Sequence, residues 1–211
     1  MMHPAFPVIL AAPSGTGKTT IARRLLELRP DVGFSVTCTT RAPRPAEAHG
    51  VDYHFVVGDE FEARVQRGEF AEHAVVHGHR YGTLRSEIDR LMASGRNPIM
   101  TIDVQGAVQF RQVFPQAVLI FLLPPSAVEL LSRLSGRGSE DMATLARRVD
   151  SALTELATVE QFEYVVVNDA LEHAVTQVLS IIDAEALRRT RLTDLRERVT
   201  ALANELRDAI R

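Results

Sequence analysis

The chain has 211 residues, 45% of them hydrophobic and 24% charged, with a formal net charge of −3. These are values of a globular α/β domain with sub-lobes, long enough to bury a substantial core, and they exclude a disordered chain. The acidic balance excludes a nucleic-acid binder that works by neutralising many phosphates, and no apolar run approaches the ~20 residues of a membrane span.

Residues 8–12 are a short apolar run that reads as a buried strand. It breaks into a loop of small residues, Pro13, Ser14, Gly15, Thr16 and Gly17. Lys18, Thr19 and Thr20 then open a helix, in which Ile21, Ala22, Leu25 and Leu26 recur at helical spacing. Strand, glycine-bearing loop and helix in this order are the context of the phosphate-binding loop G-x-x-x-x-G-K-[ST]. The backbone N–H groups of such a loop form a nest for phosphate oxygens, with the positive end of the helix behind it. Lys18 would carry charge to the β- and γ-phosphates, and the Thr19 hydroxyl would sit on Mg²⁺. Ala12 stands where the pattern has its first glycine, and alanine serves there unless a positive φ is required.

Arg29, Pro30 and Asp31 mark a break, and residues 34–39 alternate as one short strand. Residues 41–50 (RAPRPAEAHG) form a surface loop. A strand over 52–57, a helix over 59–67 stopped by Gly68, and a strand over 70–77 follow. After a turn at Gly78 come Tyr81, Gly82 and Thr83, then a helix through Leu84, Ile88, Leu91 and Met92 ended by Gly95. The stretch 34–83 thus reads as a mixed-sheet insertion in an otherwise alternating β–α chain. Strands over 98–102 and 118–123 resume the alternation, with a helix near 107–113 between them. Ser126 and Glu129 have capping-box spacing, so a helix starts there and runs to about Ser135. A hinge-like turn at residues 136–139 precedes a long helix through Leu145, Val149, Leu153 and Leu156, and residues 164–167 are the last core strand. Two helical stretches complete the chain. The second carries Leu192, Leu195, Val199, Leu202 and Leu206 as one apolar stripe, to be packed on the domain or on another chain.

The inserted lobe carries the discriminating chemistry. Arg41 and Arg44 share one proline-containing loop, where two guanidinium forks could converge on one phosphate. Tyr53 and Tyr81 are expected at strand ends with their hydroxyls available. Glu72 lies in the 70–77 strand, and a carboxylate, which only accepts, suits a base edge with two adjacent donors. Guanine has that edge in its N1–H and 2-amino group, and adenine does not. Thr37 and Thr83 could meet the O6 acceptor.

APSGTGKTT at residues 12–20, VTCTTRAPR at 36–44, GVDY at 50–53, EFAE at 69–72, YGT at 81–83, DVQG at 103–106, RGSE at 137–140 and VND at 167–169 resemble guanylate kinase, in order and in spacing, over residues 7–185. The resemblance implies a P-loop kinase core with a parallel central sheet flanked by helices, a mixed-sheet GMP-binding lobe and a helical lid. It divides one domain into core (7–33, 96–125 and 160–190), GMP lobe (34–95), lid (126–159) and C-terminal helix (190–211). It implies that Thr37, Arg41, Arg44, Tyr53, Glu72, Tyr81, Thr83 and Asp103 bind GMP. Ala12 through Thr20 would bind ATP phosphates, with Asn168 near the adenine. Arg133, Arg137 and Arg148 would close, with Arg41 and Lys18, over the transferring group. Thr37 replaces the usual serine and keeps the hydroxyl. Thr101 replaces an acidic residue that would help to hold Mg²⁺.

The implied activity is Mg²⁺-dependent phosphoryl transfer from ATP to GMP or dGMP in a cytoplasmic enzyme. The alternative from another class is a phosphopeptide-binding module of the same fold, in which phosphate loops are degraded; here Lys18 and Thr19 are intact. Another nucleoside monophosphate kinase is the alternative among enzymes. His73, His77 and His79 would share a strand face, but the turn at Gly78 breaks that geometry, so no metal site is expected. The single cysteine, Cys38, reads as a packing residue and fits a reducing compartment. The basic run Arg188, Arg189, Arg191, Arg196 and Arg198, with acids interleaved, reads as a solvated helix face.

Overall fold

The computed structural model describes residues 4–76, 78–135 and 142–210. In chain order these form β1 (Val8–Ala11), α1 (Lys18–Leu28), β2 (Val32–Phe34), β3 (Thr37–Thr39), β4 (Tyr53–Phe55), α2 (Gly58–Gln66), β5 (Phe70–Val76), β6 (His79–Leu84) and α3 (Arg85–Ala93). They continue as β7 (Asn97–Ile102), α4 (Val104–Val113), β8 (Val118–Leu123), α5 (Ala127–Ser135), α6 (Met142–Leu156), β9 (Tyr164–Val167), α7 (Leu171–Ala186) and α8 (Leu195–Ala209).

Strands β2, β7, β1, β8 and β9 lie side by side in that order, with all neighbours parallel. Both faces are covered, which is why β1 and β8 read as unbroken apolar runs. Leu10, Ile99 and Ile120 face α1 and α7 through Ile21, Leu25, Val175 and Val178. Ile9, Met100 and Phe121 face the other side, with Ile88, Ala107 and Phe110. A second sheet, ordered β4-β3-β6-β5, is mixed: β3 and β4 run parallel, whereas β6 is antiparallel to both its neighbours. Cys38 is fully buried there among Phe61, Phe70 and Leu84, and burial pushes its thiol up to about 11.

The strand expected over 34–39 is in fact two strands in two sheets. The Ser35 amide donates to the Ile99 carbonyl at 3.1 Å, and the chain then crosses from β2 to β3. Alternation over six residues looks the same in either sheet, so periodicity could not show the break. The helix expected near 107 starts at Val104, because the Asp103 carboxylate accepts from the Gly106 amide at 2.7 Å and caps it. Only half of the expected capping box forms: the Ser126 hydroxyl accepts from the Glu129 amide, but the Glu129 carboxylate goes to Arg133. The 136–139 turn, with Arg137, and also His77 lie outside the described residues.

The C-terminal region corrects the sequence reading at Arg191. Arg191 is not part of a solvated face. Its guanidinium stacks 4.1 Å over the Phe6 ring, donates to the Gln116 carbonyl and pairs with Glu185 at 2.9 Å. Glu185, 4% exposed, also accepts from the Tyr164 hydroxyl at 2.6 Å. Burial alone would raise its carboxyl, but Tyr164 and Arg191 outweigh burial and hold it below the ordinary range. Glu185→Ala leaves Arg191 and Tyr164 without that acceptor. The cluster lies at the edge of the domain, so the expected loss is about 2 kcal/mol. Thermal melting should then show a Tm lower by roughly 6 °C. An unchanged Tm would mean that the cluster has no stabilising role. In α8 no residue is fully buried: Leu195 is half-buried, whereas Val199, Leu202 and Leu206 face solvent, so of the two covers expected for the stripe the domain supplies at most the first turn's.

Candidate active site

The phosphate loop leaves the C-terminal end of β1, the central strand. Gly17 has φ 95° and caps α1, a left-handed conformation that suits glycine alone at low cost. A Cβ at Gly17 would also come within 2.7 Å of the Asn168 side-chain nitrogen. Ala12, at the variant position, is fully buried, and its carbonyl accepts from the Lys18 ammonium at 2.6 Å. Desolvation lowers the Lys18 pKa, while the negative charges of Glu155 and Asp103 oppose that shift. The Thr19 hydroxyl is exposed and makes no hydrogen bond among the described residues; Thr20 is exposed beside it. Thr16 is fully buried, with its hydroxyl on the Pro13 carbonyl.

Asn168 does something that its expected position near a base did not suggest. Its amide donates to the Thr16 carbonyl at 2.7 Å, so the end of β9 braces the loop directly. Arg133 on α5 approaches the same carbonyl at 3.4 Å and is held by Glu129 at 2.8 Å. Arg148 on α6 donates to the Leu134 carbonyl at 2.6 Å, joining α6 to α5. The structure thus brings Arg133 onto the phosphate loop and ties Arg148 to the end of α5.

In the mixed sheet, a shift of register between Phe70 and Glu72 sets Glu72 opposite Thr83. Glu72 is 4% exposed, and the Thr83 hydroxyl donates to its Oε1 at 2.6 Å. Burial pushes the carboxyl up to about 7, with the Asp103 charge adding to the rise and Thr83 opposing it. A Cβ at Gly106 would come within 2.7 Å of Glu72 Oε2, so glycine lets α4 approach the carboxylate. A hydroxyl has one proton, and in the free chain Thr83 commits it to Glu72, which holds the carboxylate in place. Thr37, on β3 opposite Tyr53, is 9% exposed.

Tyr53 starts β4, but Tyr81 lies within β6 rather than at its end, and the two rings meet edge-on at 6.0 Å. Burial raises the Tyr53 phenol, which keeps it a donor. The Arg41 guanidinium lies 5.3 Å from the Tyr53 ring centre and donates to the Tyr81 hydroxyl at 3.3 Å. Glu47, which the sequence reading passed over, organises this loop. One of its oxygens takes Arg41 at 2.8 Å, and the other takes the Arg44 amide at 2.8 Å. An acid three residues after the second of two loop arginines was the signal available. The Arg44 guanidinium is exposed and makes no hydrogen bond among the described residues. The site therefore has two parts: a glycine-bearing loop with Lys18 and Arg133 beside it, and a lobe with a buried acceptor beside Arg41, Tyr53 and Tyr81.

The sequence model of the guanylate kinase family matches residues 5–185. A guanylate kinase of Anaeromyxobacter dehalogenans is 48% identical over 88% of this chain and 83% of its own length. One from Thermotoga maritima is 44% identical over 90% and 92%. The crystal structure of guanylate kinase from Anaplasma phagocytophilum superposes with a TM-score of 0.79 at 32% identity, covering 93% of this chain and 94% of that one. With the loop motif, the mixed-sheet lobe and helices α5 and α6 in place beside these matches, the chain belongs to the guanylate kinase family.

Proposed function

We propose that the chain transfers the terminal phosphoryl group of ATP to GMP, and to dGMP, forming ADP and the nucleoside diphosphate. The observation that carries the base assignment is Glu72, a buried acceptor held by Thr83 in the lobe beside the phosphate loop. Two of its lone pairs suit the N1–H and 2-amino donors of guanine. A panel of nucleoside monophosphates with Mg-ATP in a coupled assay tests this. Turnover should be confined to GMP and dGMP, and equal turnover of AMP would overturn the reading.

The acceptor is the GMP phosphate itself, mostly dianionic at neutral pH because its second pKa is ~6, so no general base is required. The work is to hold two anions in line and to neutralise the transferring group. Arg41, Arg44, Tyr53 and Tyr81 take the GMP phosphate, and Thr37, Glu72 and Thr83 line the base, with Asp103 beside them. The loop Ala12–Thr20 cradles the ATP phosphates, and Lys18 contacts the transferring group. Arg133, Arg137 and Arg148 close over it when the lid and GMP lobe move toward the core, and closure expels water. Thr19 fits Mg²⁺ as an uncommitted hydroxyl donor at the loop, with phosphate oxygens and waters completing the shell. Bound with ATP, the ion would neutralise charge on the β- and γ-oxygens. Thr101, half-buried on β7, offers no carboxylate to it. We place the enzyme in the cytoplasm and assign homo-oligomer contacts to its C-terminal helix.

The raised pKa of Glu72 makes GMP use dependent on pH. Below pH ~7 the carboxyl of the free protein takes a proton and loses one acceptor. The kcat/KM for GMP should therefore fall on acidification through pH 7, approaching tenfold per unit, with the GMP phosphate contributing below ~6. A profile flat between pH 6.5 and 8 would show that Glu72 does not titrate there.

A further inference from the structure

The helix α8 lies beyond the part of the chain that the family model matches, and none of its residues is buried. Val199, Leu202 and Leu206 are 58%, 56% and 62% exposed. Leu195, Val199, Leu202, Leu206 and Ala209 follow at alternating spacings of four and three, the a and d positions of a heptad. A 15-residue helix without tertiary packing is marginal in water, so this stripe needs a cover.

The charges beside the stripe identify the cover. Arg198 and Glu205 both occupy g positions, on the same flank. They are seven residues apart and so lie too far along the helix to pair with each other. Arg198 lies 3.7 Å from Asp194 on an exposed surface, and Glu205 has no ion pair among the described residues. In a parallel pair, g faces e of the partner, so Arg198 would meet Ala203 and Glu205 would meet Ile210, with no charge matched. In an antiparallel pair, g faces g, and Arg198 of each helix meets Glu205 of the other. The same register sets Leu195 against Leu206, and Val199 against Leu202, twice each by symmetry.

Deepening the homo-oligomer contact proposed above, the geometry points to α8 as a self-association helix that joins two copies of this chain in antiparallel register. The Glu185, Arg191, Phe6 and Gln116 cluster anchors the segment just before it. That cluster lies where β8 and β9 begin, whereas the phosphate loop leaves the opposite end of β1. Pairing through α8 therefore keeps both active sites open and both lids free. Four apolar layers make a small interface, so the dissociation constant should be on the order of micromolar or weaker.

Sedimentation of the full chain over about 1–500 µM tests the proposal. The mass should rise from the 23.4 kDa of one chain toward twice that value. Leu202→Glu, at an exposed position, should remain monomeric throughout and keep the parent's kinase turnover. Arg198→Glu should weaken association about tenfold, because two attractive contacts become repulsive. Adding Glu205→Arg to Arg198→Glu should restore it. A parent that stays monomeric, or a dimer that survives Leu202→Glu, overturns the proposal. Failure of the double exchange to restore association overturns the antiparallel register.

Discussion

Lys18→Met should lower phosphoryl transfer by about three orders of magnitude while leaving the dissociation constant for GMP nearly unchanged. The ammonium is the side-chain cation at the start of α1, and in the free protein it donates to the Ala12 and Pro13 carbonyls of the loop. Those carbonyls keep it at the mouth of the nest, with no counter-charge in contact among the described residues. Its lowered pKa reflects that desolvation, which a phosphate would relieve. Methionine keeps the length of the chain and removes the charge. The lobe proposed to bind GMP is built on the other, mixed sheet and should not sense the change. Calorimetric titration with GMP, beside turnover with Mg-ATP, separates the two effects. Turnover within tenfold of the parent would remove Lys18 from the mechanism.

Glu72→Gln should reduce kcat/KM for GMP by roughly two orders of magnitude or more at pH 8. The glutamine keeps the shape but replaces one acceptor by a donor, which then faces a donor on the base. One contact is lost and one becomes repulsive, on the order of 3 kcal/mol together. AMP, whose N1 accepts and which lacks the 2-amino group, should lose far less. Since burial holds the Glu72 carboxyl up at about 7, ionising it costs stability, and that cost grows as pH rises through 7. The neutral variant is free of it, so its Tm at pH 8 should not fall below the parent's. An equal drop for GMP and AMP, or a lowered Tm, would mean that Glu72 acts by supporting the lobe.

The two residues also show why parts of the site were legible at different levels. Lys18 could be read without a structure because the phosphate loop is contiguous: strand, glycines, lysine and hydroxyl follow one another within a dozen residues. Glu72 was found from the chemistry of one carboxylate and from a resemblance. Its holder, Thr83, and the glycine that admits it, Gly106, come from β6 and α4. Glu47 was missed because a loop acid between prolines and small residues carries no periodic signal. Its role exists only once Arg41 and the Arg44 amide converge on it.

By itself, the sequence determined what is local. The apolar runs of β1 and β8, the glycine at positive φ before α1 and the turn at Gly78 follow from backbone sterics and periodicity over a few residues. So did the class of the fold, since alternating β and α elements leave a parallel sheet as the solution that buries both faces. Tertiary structure decided what depends on partners distant in the chain. Residues 34–39 were divided between two sheets because Ser35 found Ile99. Asn168 became a brace for the loop through a contact spanning 152 positions. Arg191 left its basic neighbours because a buried carboxylate and an aromatic ring were waiting for it. Val199, Leu202 and Leu206 of α8, a packing signal in the sequence, were left in solvent within the single chain. Periodicity states that a face must be covered, and only the positions of all other elements state whether anything in the same chain can reach it.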